Sequence, residues 1–213
     1  MITEFYNFID SWNNVLGLKT PKHQKEMIKF LVDVWENNPK RGLLMAFRHS
    51  GKSTVVGIFC ACVLYLHPET RILVLSAHSV LASRMVSHIK NILENHPWCS
   101  ELIPNSKKEW SADKITINRP IGIREPSVVC QGIHGNITGM RADLIICDDI
   151  EVPNTSNTRQ KRENLRERLR ELDFILSPSG TMIYIGTPHT MDTIYSVSSE
   201  NMESDIYSNS ESL

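Results

Sequence analysis

The sequence predicts an α/β fold, a mostly parallel sheet flanked by helices, on three observations. Short apolar runs of strand length alternate along the chain with longer segments of helical period. One strand, "RGLLMAF" at 41–47, passes through a small-residue loop into the helix-length run "STVVGIFCACVLYLH" at 53–67. A second unit repeats the order, "TRILVLSAH" at 70–78 leading into "SVLASRMVSHIKNILENH" at 79–96. Such a βαβα series calls for parallel strands whose crossover helices cover the sheet.

The remaining elements follow from the same periodicities. In "HQKEMIKFLVDVWEN" (23–37), Met27, Phe30, Leu31, Val34 and Trp35 recur at helical spacing ahead of the first strand. Ser79 is the expected N-cap of the helix over 79–96. Residues 97–126 contain Pro97, Pro104, Pro120 and Pro126 and are expected to be irregular, with a strand or hairpin at "DKITINRP". "SVVCQGI" and "ADLIICDD" read as strands, "TRQKRENLRERLREL" as a charged helix and "GTMIYIGTP" as a last strand. From Ser196 the chain is rich in serine and acid and poor in aliphatics, so 1–195 is expected to be one domain and 196–213 a mobile tail or the start of a linker.

Composition limits the partners. With 213 residues, 41% of them hydrophobic, the chain has material for one sizeable core. A net charge of −1 gives no global attraction to a polyanion, so any nucleic-acid contact must be local. The five cysteines (60, 62, 99, 130 and 147) form no CxxC pair and sit mostly in apolar runs, as reduced core residues of an intracellular protein would. The amino terminus lacks a basic region followed by an apolar stretch, and the apolar run near 54–66 is too short to span a bilayer. No membrane association is expected.

The stretch "AFRHSGKST" (46–54) carries the chemistry. Strand, small-residue loop with lysine, then helix is the arrangement by which backbone N–H groups and a helix N-terminus wrap a polyphosphate. Arg48, His49, Ser50, Gly51, Lys52, Ser53 and Thr54 are the candidate cradle. Gly51 allows close backbone approach, Lys52 reaches the β- and γ-phosphates, and Ser53 sets its hydroxyl on Mg²⁺. The usual G-x-x-x-x-G-K-S/T pattern has a glycine where this chain has Ala46. A loop that supports hydrolysis also needs acids from a neighbouring strand end. "DLIICDDIE" supplies them, with Asp148 as the candidate metal ligand. Asp149 and Glu151 are alternative water-activating carboxylates, since alternation puts Glu151 on the face of Asp149 if the strand continues. Arg48 sits where it would touch a γ-phosphate or the acidic cluster.

"AFRHSGKST", "GNITGMRADLIICDDIEVPN" and "MIYIGTPH", in this order and spacing, resemble the ATPase domain of phage terminase large subunits, in particular the DNA maturase type of T7-like short-tailed phages. The resemblance covers roughly residues 20–195. It implies a P-loop NTPase of the additional-strand (ASCE) type that hydrolyses ATP with Mg²⁺ and pumps double-stranded DNA through a portal protein into a procapsid. It further implies a small terminase subunit as partner, a homo-oligomeric ring, expected to be a pentamer, and action in the host cytoplasm. Residue by residue, it gives Gln24 in "PKHQKEM" the reading of adenine and Thr187 in "GTP" the coupling of phosphate loss to DNA grip. Arg141 becomes the favoured arginine finger, offered to a neighbouring subunit, with Arg159 and Arg162 behind it. A salt bridge from Arg141 to Asp143, or a turn contact, stands equally open. The charged helix at 158–172 reads first as a solvated face with i,i+4 pairs. A C-terminal nuclease, which such proteins carry, is not expected in this chain. Two other readings compete: a helicase-like DNA translocase of the related superfamily, and a nucleotide-binding, DNA-holding module without turnover.

Overall fold

The computed structural model describes residues 1–37, 41–46, 50–106, 108–186 and the backbone of 205–209. Two amino-terminal helices, α1 (Ile2–Val15) and α2 (Lys22–Glu36), precede β1 (Arg41–Ala46) and α3 (Lys52–Leu66). β2 (Ile72–Ser76) and α4 (Ser79–Asn95) form the second unit. An irregular stretch carries only the two-residue β3 (Lys114–Ile115), then β4 (Val128–Gly132) and β5 (Ala142–Asp148) follow. The short α5 (Pro153–Ser156), α6 (Arg159–Glu171), β6 (Leu176–Gly186) and β7 (Asp205–Asn209) complete the described chain.

The sheet runs β3-β4-β2-β5-β6-β1-β7, parallel throughout except for β3. β6 therefore lies between β1, which precedes Gly51 and α3, and β5, which ends on the acids. That inserted strand is the additional strand of the expected fold class, read here directly from the pairing order.

Period-two alternation divides the core between the two faces of the sheet. Leu44, Ile72, Val74, Leu144, Ile146, Ile183 and Ile185 pack against α1–α4. Leu43, Leu73, Leu75, Ile145, Cys147, Met182 and Tyr184 form the second cluster with Leu165 and Leu169 of α6. α3 is buried from Val55 through Leu64. A helix apolar on every side must be enclosed, and α3 is enclosed by the sheet, α1, α2 and α4. All five cysteines are free and buried, as expected. Among the described residues no helix is long and apolar enough to cross a membrane.

Several expectations need correction. His78, not Ser79, is the N-cap of α4, because Ser79 is already in its first turn. The strand expected over 113–120 shrinks to two residues that pair with β4, with a bridge from Trp110 to Ile115. Residues 205–209, within the stretch expected as a mobile tail or the start of a linker, form β7 on the outer edge of β1, from Gly42↔Asp205 to Ala46↔Asn209. An open parallel edge supplies backbone partners that composition does not register. α1 went unread, although Phe5, Phe8, Ile9 and Trp12 recur at helical spacing and are buried.

Candidate nucleotide site

The candidate site lies at the carboxyl ends of β1, β2, β5 and β6, the edge at which open α/β sheets bind ligands. Gly51 is the N-cap of α3 with φ 80°, a left-handed conformation that favours glycine. Lys52 opens the helix, and its Nζ donates to the Ala46 carbonyl at 2.9 Å, spanning the loop it would close on a phosphate. The Ser50 hydroxyl is buried, with its residue 3% exposed, and has no hydrogen-bond partner among the described residues. Arg48, His49 and Thr187 lie outside the described residues.

In the first turn of α3, the Ser53 hydroxyl donates to Asp148 Oδ1 at 3.4 Å, joining the loop helix to the end of β5. Burial, then the charge of Asp149, pushes the Asp148 carboxyl up to about 6, against the Ser53 hydrogen bond and the Lys52 charge, which lower it. Asp149 has φ 45°, the one non-glycine positive φ among the described residues, and its N–H donates to the Ile185 carbonyl of β6 at 2.9 Å. Aspartate tolerates this conformation better than most residues, and backbone strain of this kind gathers at functional sites. β5 ends at Asp148, so the condition that would have put Glu151 on the face of Asp149 is not met. Glu151 is 1% exposed.

A cavity of about 290 Å³ opens beside these groups, lined by Ser53, Thr54, Asp148 and Asp149 together with Ser76 of β2 and Arg84 and His88 of α4. The sequence reading missed Arg84 and His88; their i,i+4 spacing on α4 was the available signal. His88 Nε2 lies 3.3 Å from the Thr54 carbonyl and, facing an acceptor, donates to it. Burial holds the imidazole below its ordinary pKa. The two helices touch through Gly57, where a Cβ would come within 2.2 Å of His88 Cδ2 and would have to displace that ring.

Gln24, from the far side of the chain, reaches the same loop. Its Nε2 stands 3.6 Å from the point a Cβ on Gly51 would occupy. Arg141 does not join this group. It precedes β5, at the opposite edge of the sheet from Asp148, so seven strand residues at roughly 3.3 Å each separate the two. It is not the partner of Asp143 either, which pairs with Arg71 at 2.8 Å. Arg159 pairs with Glu163, and Arg162 donates to the Ser156 carbonyl. The charged helix thus behaves as a solvated face with two buried leucines, Leu165 and Leu169.

The donor set fits a hard cation. Ser53 Oγ and Asp148 Oδ1 stand 3.4 Å apart, close to the roughly 3 Å between neighbouring ligand oxygens of an octahedral Mg²⁺. Among the described residues no group of three or more His, Cys, Asp or Glu could hold a metal. Mg²⁺ at phosphate sites requires no such group, since it takes one or two protein oxygens and completes its shell with phosphate and water.

No family model matches the chain. The terminase large subunit of Enterobacteria phage T3 is 35% identical over 201 residues, covering 93% of this chain. The chain spans about a third of that protein's length, 34%. Among solved structures, the large terminase ATPase domain of Thermus phage P74-26 has a TM-score of 0.44, at 16% identity over 84% of this chain and 69% of that one. An arginine-to-alanine mutant of the same domain has a TM-score of 0.48, at 15% identity over 84% and 70%. Over those 201 residues this chain is similar in sequence to the terminase large subunit of phage T3.

Proposed function

We propose that the chain is the motor unit of a large terminase, hydrolysing ATP with Mg²⁺ to drive viral double-stranded DNA through a portal protein into a procapsid. The observation that carries this reading is the Ser53–Asp148 contact, which joins a lysine-bearing loop at a helix N-terminus to a strand-end carboxylate. Residues 1–195 are the proposed motor domain. Its working form is a homo-oligomeric ring, with five copies as the resemblance implies, assisted by a small terminase subunit in the host cytoplasm.

The residues divide the work. Ser50, Gly51 and Thr54, with Arg48 and His49, form the cradle in which backbone N–H groups and the helix N-terminus hold the phosphates. Lys52 leaves the Ala46 carbonyl for the β- and γ-phosphates. Ser53 and Asp148 would hold Mg²⁺, which when bound neutralises charge developing on the phosphate oxygens. Asp149 is the preferred base for the attacking water, because it lines the cavity with Ser53 and Asp148 whereas Glu151 is buried beyond it. Gln24 faces the base, and Thr187, following the end of β6, couples phosphate loss to the DNA grip. Arg141, remote from its own loop, serves only a neighbouring subunit's site.

The test is Mg²⁺-dependent ATP hydrolysis over a wide protein-concentration range, with Lys52→Ala, Asp149→Ala, Glu151→Ala and Arg141→Ala beside the wild type. Expected are a loss of turnover of about 10²-fold or more with Lys52→Ala, a deeper loss for Asp149→Ala than for Glu151→Ala, and a rate that rises more than linearly with concentration unless Arg141 is replaced. Tight ATP binding without turnover at any concentration, with or without DNA, would instead favour a nucleotide-holding module.

A further inference from the structure

Behind Gln24 runs a hydrogen-bond chain whose direction is fixed at one end. The Asp10 carboxylate lies 2.8 Å from Lys25 Nζ. Burial raises the Asp10 carboxyl, but hydrogen bonds from Lys25 and Thr20 outweigh it and hold the group below its ordinary value, hence ionised. An ionised carboxylate only accepts. Thr20 must therefore give Asp10 its single hydroxyl hydrogen, which leaves its oxygen free to accept. Asn13 Nδ2 donates to that oxygen at 2.9 Å, so the NH₂ side of the Asn13 amide faces Thr20. The second hydrogen of the same NH₂ goes to Gln24 Oε1 at 3.3 Å. Asn13 is 5% exposed, so water is a poor substitute partner if its amide turns over. Each link forces the next, and the outcome is a Gln24 amide with its oxygen toward Asn13 and its NH₂ toward Gly51.

We propose that Asp10, Thr20 and Asn13 are positioning residues that fix the amide polarity of Gln24 and thereby make this site select adenine over guanine. The proposal rests on the reading of the loop as a nucleotide-phosphate site with Gln24 at the base. An amide of fixed orientation offers one acceptor and one donor in a set order. Adenine presents the complement on its N6/N7 edge, a donor beside an acceptor. Gln24 Oε1 retains a second lone pair for N6–H while bonded to Asn13. Guanine presents two acceptors, O6 and N7, and one of them would meet the Gln24 oxygen. A glutamine free to rotate would turn its NH₂ to guanine as readily as to adenine. Discrimination therefore comes from the chain behind the glutamine and not from the glutamine alone.

The experiment measures dissociation constants of ADP, GDP and pyrophosphate with Mg²⁺, by calorimetry, for the wild type, Thr20→Val, Thr20→Ser and Asn13→Asp. Thr20→Val removes the hydroxyl at nearly constant shape, and Thr20→Ser keeps it. Asn13→Asp reverses the chain, because a carboxylate would draw the Gln24 NH₂ toward itself. The wild type is expected to prefer ADP over GDP by about tenfold or more. That ratio falls toward one in Thr20→Val and Asn13→Asp and survives in Thr20→Ser. Pyrophosphate, which has no base, binds all four alike, a pattern that a general loss of structure would not give. An unchanged ratio in whichever of Thr20→Val and Asn13→Asp keeps a native melting transition overturns the proposal, as does equal binding of ADP and GDP by the wild type. A wild type that binds neither ADP nor pyrophosphate overturns the phosphate-site reading itself.

Discussion

Two aspartates on one strand are treated in opposite ways. Asp143, second residue of β5, accepts from the Arg71 backbone N–H at 3.0 Å, from Arg71 Nε at 2.9 Å and Nη2 at 2.8 Å, and from Ser177 Oγ at 2.8 Å. Burial raises this carboxyl, but the Arg71 and Ser177 hydrogen bonds prevail and hold it below the ordinary 3.8. Asp148, at the other end of β5, is pushed up to about 6. Its hydrogen bond from Ser53 is a long 3.4 Å, and, besides burial, the charge of Asp149 outweighs that of Lys52 and raises it. The amino-terminal edge of the sheet satisfies its charges internally, with a further pair between Arg41 and Asp173 at 2.7 Å. The carboxyl-terminal edge gathers charge that its own contacts leave under-compensated. A fold sustains such a cost where a ligand removes it, and the contrast marks which edge is structural and which is chemical.

The sharpest way to break this comparison is at Lys52. Lys52→Ala should lower turnover by about 10²-fold or more, the usual scale for one lost charge-stabilising donor, while its melting temperature stays within a few degrees of the wild type. A variant that loses stability and activity together would erase the distinction between the edges.

Next in size is Asp143→Asn, which leaves Arg71 with Glu125, 3.7 Å away, as its remaining acidic partner among the described residues. It should cost about 2 kcal/mol, or roughly 4–8 °C in melting temperature, with ADP affinity unchanged. Asp148→Asn should do the reverse without metal. Removing an under-compensated charge at pH 7.5 raises stability by about 1 kcal/mol by urea titration, while turnover is lost.

The smallest effect appears in acid. Because the native Asp143 pKa is depressed, its stabilisation is present above the ordinary aspartate value and is lost as pH falls through the lower native one. Urea midpoints of wild type and Asp143→Asn should therefore differ by a constant amount above about pH 5 and converge below pH 3.8. A gap that widens in acid would reverse the sign and remove Asp143 from the argument.

The candidate phosphate loop was legible because its signal is local: β1, Gly51, Lys52 and α3 follow one another directly along the chain, from Arg41 to Leu66. The acids of β5 were legible for the same reason, as a strand ending on "DD". Arg84, His88 and Asn13 were not, since a helical arginine, histidine or asparagine looks solvated until another helix packs beside it. Arg141 is the instructive intermediate case. Sequence gave its position in a recognisable block, but only the strand direction revealed that the block's two ends lie on opposite edges of the sheet.

By itself, then, the sequence determined the α/β class, the strand–loop–helix that carries Gly51 and Lys52, and the buried, free cysteines, all of which depend on short-range periodicity and residue type. Tertiary structure alone decided that β6 separates β1 from β5, that β7 closes the outer edge, and that α1 brings Asn13 to Gln24. Those outcomes depend on pairings between residues distant in sequence, whose energies arise only once the chain has paid the entropy of bringing them together.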